Sequence, residues 1–348
     1  MKKILPAFLS CQSTRLSDEE KRLFERYNPL GVCLFSKCCA NIENAEQVSR
    51  LVGEIKETLG RDEVLIAVDQ EGGRVRRLTE PEFTPVASQQ DIADNETARL
   101  HACLISRDLN KCGINVNFAP VLDTPYPQTS AALQSRCFKK DIAGLAKAMA
   151  DEYIKNGICP CVKHLPGHGR GTADPHLELP VINEDLTALQ NDFAPFQALK
   201  DAPMGMVAHI VLKAVDADFA ASVSATVIQK IIRGIIGFNG LLVSDAIMMQ
   251  ALHGSIAERA RAVIAAGCDV VCLGNADFAA NVALCESNIE LSDEARQRLE
   301  PIWKIIQNKG DFSQYENIKN KYCTTLKNII SYNYEYDATE VLNRLRKV

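Results

Sequence analysis

Lysine and arginine form no long run anywhere in the sequence, and 39 basic against 44 acidic residues leave a formal net charge of −5. Nothing in that balance suits a phosphate backbone or an anionic membrane surface, so neither nucleic acid nor membrane is expected as a partner. No segment approaches the roughly 18 consecutive apolar residues of a membrane span. The two-residue cysteine spacing of zinc ribbons and redox motifs is missing too, although the chain has 13 cysteines, among them the adjacent pair Cys38-Cys39 and the one-spaced Cys159-Pro160-Cys161. An odd number in a chain long enough to bury its own core indicates free thiols in a reducing compartment, and a cytoplasmic location is expected. The start, Met1-Lys2-Lys3 and then 4–11, imitates a leader, but its apolar stretch falls short of the roughly 7–15 residues of a signal peptide and contains Pro6. It reads as a first buried strand. Internal repeats and low-complexity tracts are absent, and no Gly-x-Gly-x-x-Gly follows that strand, which removes the dinucleotide-binding fingerprint.

What is present is an ordinary globular composition, 47% hydrophobic and 24% charged over 348 residues. That length suits two domains of about 150 residues or one large α/β barrel. Eight short apolar runs bounded by Gly, Pro, Asn or Asp lie at 4–10, 31–35, 64–69, 114–120, 159–164, 205–212, 241–245 and 270–274. Between them the spacing predicts helices over 17–27, 42–59, 95–112, 141–156, 184–199, 225–236 and 255–266, the first opened by Ser17 with Glu20 as a capping box. Continuously apolar strands alternating with helices indicate parallel strands covered on both faces. Eight units match a (β/α)8 TIM barrel. Asp69, Asp123, Lys163-His164, His209 and Asp245 all fall at or just beyond C-terminal strand ends, where barrel enzymes build their sites. The expected organisation is a barrel over 1–290, helices packed on it over 291–330 (those from 303 on the barrel's outside), and a tail over 331–348 that is rich in tyrosine.

The densest stretch of chemistry is 163–176, Lys-His-Leu-Pro-Gly-His-Gly-Arg-Gly-Thr-Ala-Asp-Pro-His, which holds three of the six histidines. Three glycines in five positions make a poor helix and a loop able to move over a substrate. Two chemistries compete for it: metal ligation by His164, His168 and His176, with His209, or proton transfer by one histidine oriented by a carboxylate. Asp174 can reach His176 around a turn, which would fix its tautomer and favour its charged form. A second segment, Asp69-Gln70-Glu71-Gly72-Gly73-Arg74-Val75-Arg76-Arg77, ends a strand in three polar residues. A third, Leu241-Leu242-Val243-Ser244-Asp245, delivers one carboxylate to the barrel mouth, where it could equally cap the next helix.

Asp-Gln-Glu-Gly-Gly-Arg-Val at 69–75, Asn117-Phe118-Ala119-Pro120-Val121-Leu122-Asp123, Lys163-His164 with Pro166-Gly167-His168-Gly169, Asp174-x-His176 with Leu179-Pro180, and Ser244-Asp245 together resemble glycoside hydrolase family three. More narrowly they resemble its single-domain bacterial β-N-acetylglucosaminidases of cell-wall recycling. The resemblance covers about 1–290 and implies a (β/α)8 barrel, a retaining mechanism without a cofactor or metal, and a small carbohydrate substrate such as a muropeptide. It places the nucleophile at Asp245, the acid/base at His176 with Asp174 as its partner, and sugar binding at Asp69, Arg77, Arg136, Lys163 and His164. Retaining hydrolysis needs a nucleophile and a proton donor, and a histidine with an ordinary pKa of about 6.5 can serve as the donor near neutral pH. The alternatives are a phosphorolytic β-glycosidase of the same family, a metal-dependent barrel hydrolase, and an inactive barrel that only binds cell-wall fragments. A monomer or weak dimer is expected.

Overall fold

The computed structural model describes residues 3–35, 41–173 and 178–326. Its strands are β1 (Leu5–Ser10), β2 (Pro29–Cys33), β3 (Leu65–Val68), β4 (Val116–Asn117), β5 (Cys159–Leu165), β6 (Val181–Ile182), β7 (Met204–Val207), β8 (Val211–Leu212), β9 (Leu241–Ser244) and β10 (Val271–Cys272). Eight of them form one parallel sheet in the order β10-β1-β2-β3-β4-β5-β7-β9. A parallel bridge between Val243 and Val270, with the Ser244 N–H donating to the Val270 carbonyl at 3.0 Å, joins the two ends of the sheet. The fold is a (β/α)8 barrel, and β6 and β8 pair separately above it.

The helices between the strands start where the sequence supplies caps. Ser17 opens α1 (Asp18–Tyr27) and Ser255 opens α6 (Ile256–Ala266), each in a reciprocal capping box with the glutamate three residues on. Asn44, Asp94, Asp141, Asp185 and Asp277 accept the third-position N–H of α2 (Ala45–Leu59), α3 (Asn95–Cys112), α4 (Ile142–Lys155), α5 (Leu186–Ala198) and α7 (Phe278–Cys285). Each such cap contributes about 1 kcal/mol by satisfying a donor the helix cannot. The expected helix over 225–236 is instead a π-helix, Val227–Ile235. Its apolar pairs, 227/228, 231/232 and 235/236, recur every four residues, wider than the α repeat of about 3.6. The looser winding keeps Val227, Ile228, Ile231, Ile232 and Ile236 buried on one side.

Two apolar layers result. One lies between strands and helices, and the other fills the barrel interior with residues such as Phe8, Leu30, Leu65, Phe118, Met204 and Leu241. Leu291, and Ala295, Leu299 and Ile302 of α8 (Asp293–Ile306), belong to this interior layer. α8 thus packs beneath the strands' N-terminal ends, where its Arg298 reaches Asp269 just ahead of β10 at 2.6 Å. Trp303 at its end packs against the same interior layer. α9 (Tyr315–Thr325) packs beside α3. Residues 331–348 lie outside the described residues.

Candidate active site

The loop after β3 is built around Gln70. Its backbone N–H donates to Asn117 Oδ1 at 3.0 Å, its carbonyl accepts from Asn117 Nδ2 at 2.9 Å, and its side-chain oxygen takes the N–H groups of Arg77 and Leu78 at 2.8 and 3.0 Å. A residue locked in this way sets its two neighbours, Asp69 and Glu71, over the strand ends. Lys163, on β5, reaches both: its Nζ stands 2.9 Å from Asp69 and 2.6 Å from Glu71. Arg77 Nη2 approaches Asp69 at 3.4 Å. Arg136, in a short 3-10 turn after β4, grips Glu71 with Nε and Nη2, each at 2.8 Å, the two-pronged geometry a guanidinium offers a carboxylate.

A second cluster adjoins the first. His164 Nδ1 lies 2.6 Å from Asp123, whose other oxygen accepts the His168 backbone N–H at 2.6 Å. Arg136 Nη2 stands 3.2 Å from His164 Nε2. A guanidinium can only donate, so His164 accepts at Nε2 and donates from Nδ1 to Asp123. Asp69 and Glu71 are thus paired with Arg77, Arg136 and Lys163, and Asp123 with His164.

Burial alone would raise the carboxyl groups, but their cations outweigh it. Lys163 and then Arg77 hold Asp69 well below the usual carboxylate range, and Arg136 and Lys163 bring Glu71 down to about 2. For Lys163 and Arg136 burial works against the charge, yet Asp69 and Glu71 raise both above their ordinary values. All four are charged near neutrality. Burial pushes His168 down to about 4.

Asp245 follows β9, the seventh strand of the barrel. Its backbone N–H donates to the Val207 carbonyl at 2.9 Å, and its Oδ1 accepts the N–H of Ala246 at 2.7 Å. It is no helix cap, because the cap of α6 is Ser255. His209 steadies the segment after Asp245, with Nδ1 2.6 Å from Ser222 Oγ and Nε2 3.1 Å from the Ala246 carbonyl. Both nitrogens of His164 and of His209 are thus engaged within the protein. Among the described residues no cluster of His, Cys, Asp and Glu has metal-holding geometry.

The stem of the histidine loop, over residues 166–171, is closely packed. A Cβ on Gly169 would stand 1.8 Å from the Thr124 carbonyl oxygen, so glycine is demanded here by close approach. Arg170 ties the stem to Asp192 at 2.7 Å and to the Tyr126 hydroxyl at 2.9 Å, lying over the Tyr126 ring. Where the chain returns, β6 pairs with β8. Asp174 and His176 lie outside the described residues.

The structure brings Asp69, Arg77, Arg136, Lys163 and His164 together at the mouth, with Asp245 on the same face. Sequence reasoning placed Asp123 at a strand end but gave neither it nor Glu71 a role in the site, although Glu71 holds Arg136 and Lys163 and Asp123 holds His164. The available signal was the place of Glu71, two residues after Asp69 in the loop that follows a barrel strand.

Residues 5–304 match the model of the glycosyl hydrolase family 3 N-terminal domain. The chain belongs to glycosyl hydrolase family 3. This family member is 36% identical over 287 residues to a beta-hexosaminidase of Neisseria gonorrhoeae, covering 78% of each chain. It is 33% identical over 287 residues to a beta-hexosaminidase of Bordetella avium, covering 78% of this chain and 80% of that one. The crystal structure of NagZ from Neisseria gonorrhoeae in complex with N-trifluoroacetyl-D-glucosamine superposes with a TM-score of 0.80 at 29% identity, over 93% of this chain and 98% of that one. The family 3 chain is a glycoside hydrolase.

Proposed function

We propose that this glycoside hydrolase is a retaining exo-β-N-acetylglucosaminidase that removes terminal β-linked N-acetylglucosamine from peptidoglycan fragments. The observation that carries the reading is the convergence of Asp69, Glu71, Arg136, Lys163 and His164 at the barrel mouth, on the face that also presents Asp245. β-N-Acetylhexosaminidase activity is supported by the family and by the relatives' names, and the substrate by a neighbour solved with an N-acylated glucosamine.

In this reading the charged cluster binds the sugar hydroxyls. Donors and acceptors already held in place by one another lose little freedom on binding, and a hydroxyl that is missing or inverted leaves a buried group unpaired, at about 1–3 kcal/mol. The Asp245 carboxylate attacks the anomeric carbon. As the glycosidic C–O bond breaks, the leaving oxygen takes a proton from the His176 imidazolium, which Asp174 orients. Water then attacks the glycosyl ester, His176 takes its proton, Asp245 is released, and the sugar keeps its β configuration. No cofactor is required. No disulfide joins any two of the eleven cysteines among the described residues, and ten of them are buried, which suits a reducing cytoplasm. No described helix is long and apolar enough to cross a membrane.

Turnover of an aryl β-N-acetylglucosaminide, with the product's anomeric configuration followed by NMR, tests the reading. Asp245→Ala should lose nearly all turnover while keeping the fold. An α product, covalent labelling of another carboxylate by a fluorinated slow substrate, or a sugar 1-phosphate formed when phosphate is added would each overturn part of it.

A further inference from the structure

The family match ends at residue 304, yet two tyrosines of α9, beyond that point, reach toward the loop that carries Glu71. Tyr315 is hydrogen-bonded through its hydroxyl to the Thr84 side chain. Tyr322, two turns further along the helix, is fully buried. Its hydroxyl accepts the Ala87 backbone N–H at 2.9 Å and lies 2.8 Å from His101 Nδ1. On the other side of the His101 ring, Nε2 lies 3.0 Å from the Glu71 carbonyl oxygen.

For a neutral His101 ring one arrangement of hydrogens satisfies these contacts. A carbonyl oxygen can only accept, so His101 Nε2 carries the hydrogen and donates to Glu71. A neutral ring then has a bare Nδ1, which accepts the Tyr322 hydroxyl hydrogen, and the Tyr322 oxygen takes the Ala87 N–H on a lone pair. The direction runs without a break from the Ala87 amide through Tyr322 and His101 to the backbone of Glu71. Burial pushes His101 down to about 4, so the ring is neutral at physiological pH. The loop touches this chain directly: a Cβ on Gly72 would stand 2.8 Å from His101 Cε1 and 2.1 Å from the Ala87 carbonyl oxygen.

We propose that Tyr322, acting through His101, is a positioning residue of the substrate site: its hydroxyl fixes the His101 tautomer, and His101 fixes the backbone from which Glu71 reaches Lys163 and Arg136. The helix beyond the family domain thereby completes the sugar-binding cluster, and the inference rests on that cluster being the sugar site. The Glu71 carboxylate holds its two cations through contacts of 2.6–2.8 Å, so a small shift of its backbone loosens both. Shifts of this size are what binding geometry tolerates least.

The experiment compares Tyr322→Phe with Asp69→Ala in the full chain, using an aryl β-N-acetylglucosaminide. Tyr322→Phe keeps the buried ring and removes only the hydroxyl. The expected result is a KM raised about fivefold to tenfold with kcat within about twofold, the loss of one buried hydrogen bond's worth of positioning. Imidazole nitrogen NMR reads the tautomer independently: the wild-type ring shows the Nε2–H form, and without the tyrosine hydroxyl Nδ1 takes a proton at a higher pH. His101→Gln, whose amide can still donate to the Glu71 carbonyl, should retain tighter binding than His101→Leu. A wild-type KM in Tyr322→Phe while Asp69→Ala raises KM overturns the positioning role alone. A fall in kcat at constant KM, with Tm lowered, shows a merely structural tyrosine and overturns it as well. If Asp69→Ala leaves KM unchanged, the sugar-site reading fails and this inference fails with it.

Discussion

Lys163 Nζ lies 2.6 Å from Glu71 Oε1, and both side chains are 2% exposed. The pair joins β5 to the loop after β3 at the barrel mouth, where neither charge could stand alone. Two partners share each: Glu71 also holds Arg136, and Lys163 also holds Asp69. Because breaking a buried ion pair leaves an uncompensated charge, either Lys163→Met or Glu71→Gln alone should cost about 3–5 kcal/mol. Removing both should cost clearly less than the sum of the single losses. Urea unfolding of the two single variants and the double measures this coupling, and additivity would show that the two groups act independently.

The same cluster shows where sequence reasoning reaches its end. Asp69, Lys163 and His164 are legible because each sits at the end of an apolar run, and a parallel barrel sends those ends to one face. Glu71 is not, because its role depends on Arg136, 65 positions away, a pairing that no local spacing encodes. The strand read over 205–212 contains two elements for a similar reason. The chain leaves the barrel after Val207, and Val211 pairs with Val181 on the returning side of the histidine loop. α8 presents Ala295, Leu299 and Ile302 at helical spacing, a stripe that would look the same on the barrel's flank as beneath it. Caps and glycine stops, by contrast, are local chemistry. The helix ending at Cys112 before Gly113 and the one ending at Ala266 before Gly267 are visible in sequence and structure alike.

Two glycines separate close approach from conformational freedom. Gly169 has the Thr124 carbonyl oxygen where a Cβ would be, at 1.8 Å, whereas Gly53, inside α2, has nothing within 4 Å. Gly53→Ala should stabilise the protein by about 0.5–1 kcal/mol, since alanine loses less backbone entropy in a helix. Gly169→Ala must displace the stem of the histidine loop. It should lower kcat/KM at least about tenfold and destabilise by about 1–3 kcal/mol, the usual range for overpacking. Thermal melts and steady-state kinetics of the two variants decide it, and a fully active Gly169→Ala enzyme would show that the stem has room.

Mild acid should weaken the fold before the carboxylates titrate. His101 and His168 protonate at about 4 in the folded protein because burial disfavours their charged form, against about 6.5 when unfolded. Between those values the unfolded chain binds more protons, so stability falls as pH falls. Their contribution is complete above about pH 6.5 and is lost progressively down to about pH 4, by at most about 1.4 kcal/mol per pH unit for each ring. Glu71 behaves as a depressed carboxylate, and its contribution is present above about 4.3 and lost as pH approaches about 2. Urea midpoints at intervals from pH 7 to pH 4 should decline, with a shallower slope in His101→Gln. Midpoints that stay level across that range would show that neither ring is held neutral.

The last prediction concerns the proton that the leaving group requires. A carboxylic acid that gives up its proton leaves a second anion facing the nucleophile, whereas an imidazolium leaves a neutral ring. In the second step that ring is already the base that water needs. In the proposed mechanism Asp174, one residue removed from His176 along the chain, orients the ring and supports its cation. Assistance of this kind matters in proportion to the basicity of the departing oxygen. His176→Ala should therefore slow saccharide substrates by about two to four orders of magnitude, the usual worth of general acid catalysis, while aryl glycosides with acidic phenols are slowed far less. Asp174→Asn should show the same trend at smaller amplitude, because the imidazole remains. A plot of rate against leaving-group acidity for His176→Ala should thus be steeper than that of the wild-type enzyme. Parallel plots, with every substrate slowed by one common factor, would make His176 a binding residue and send the search for the proton donor elsewhere in the barrel mouth.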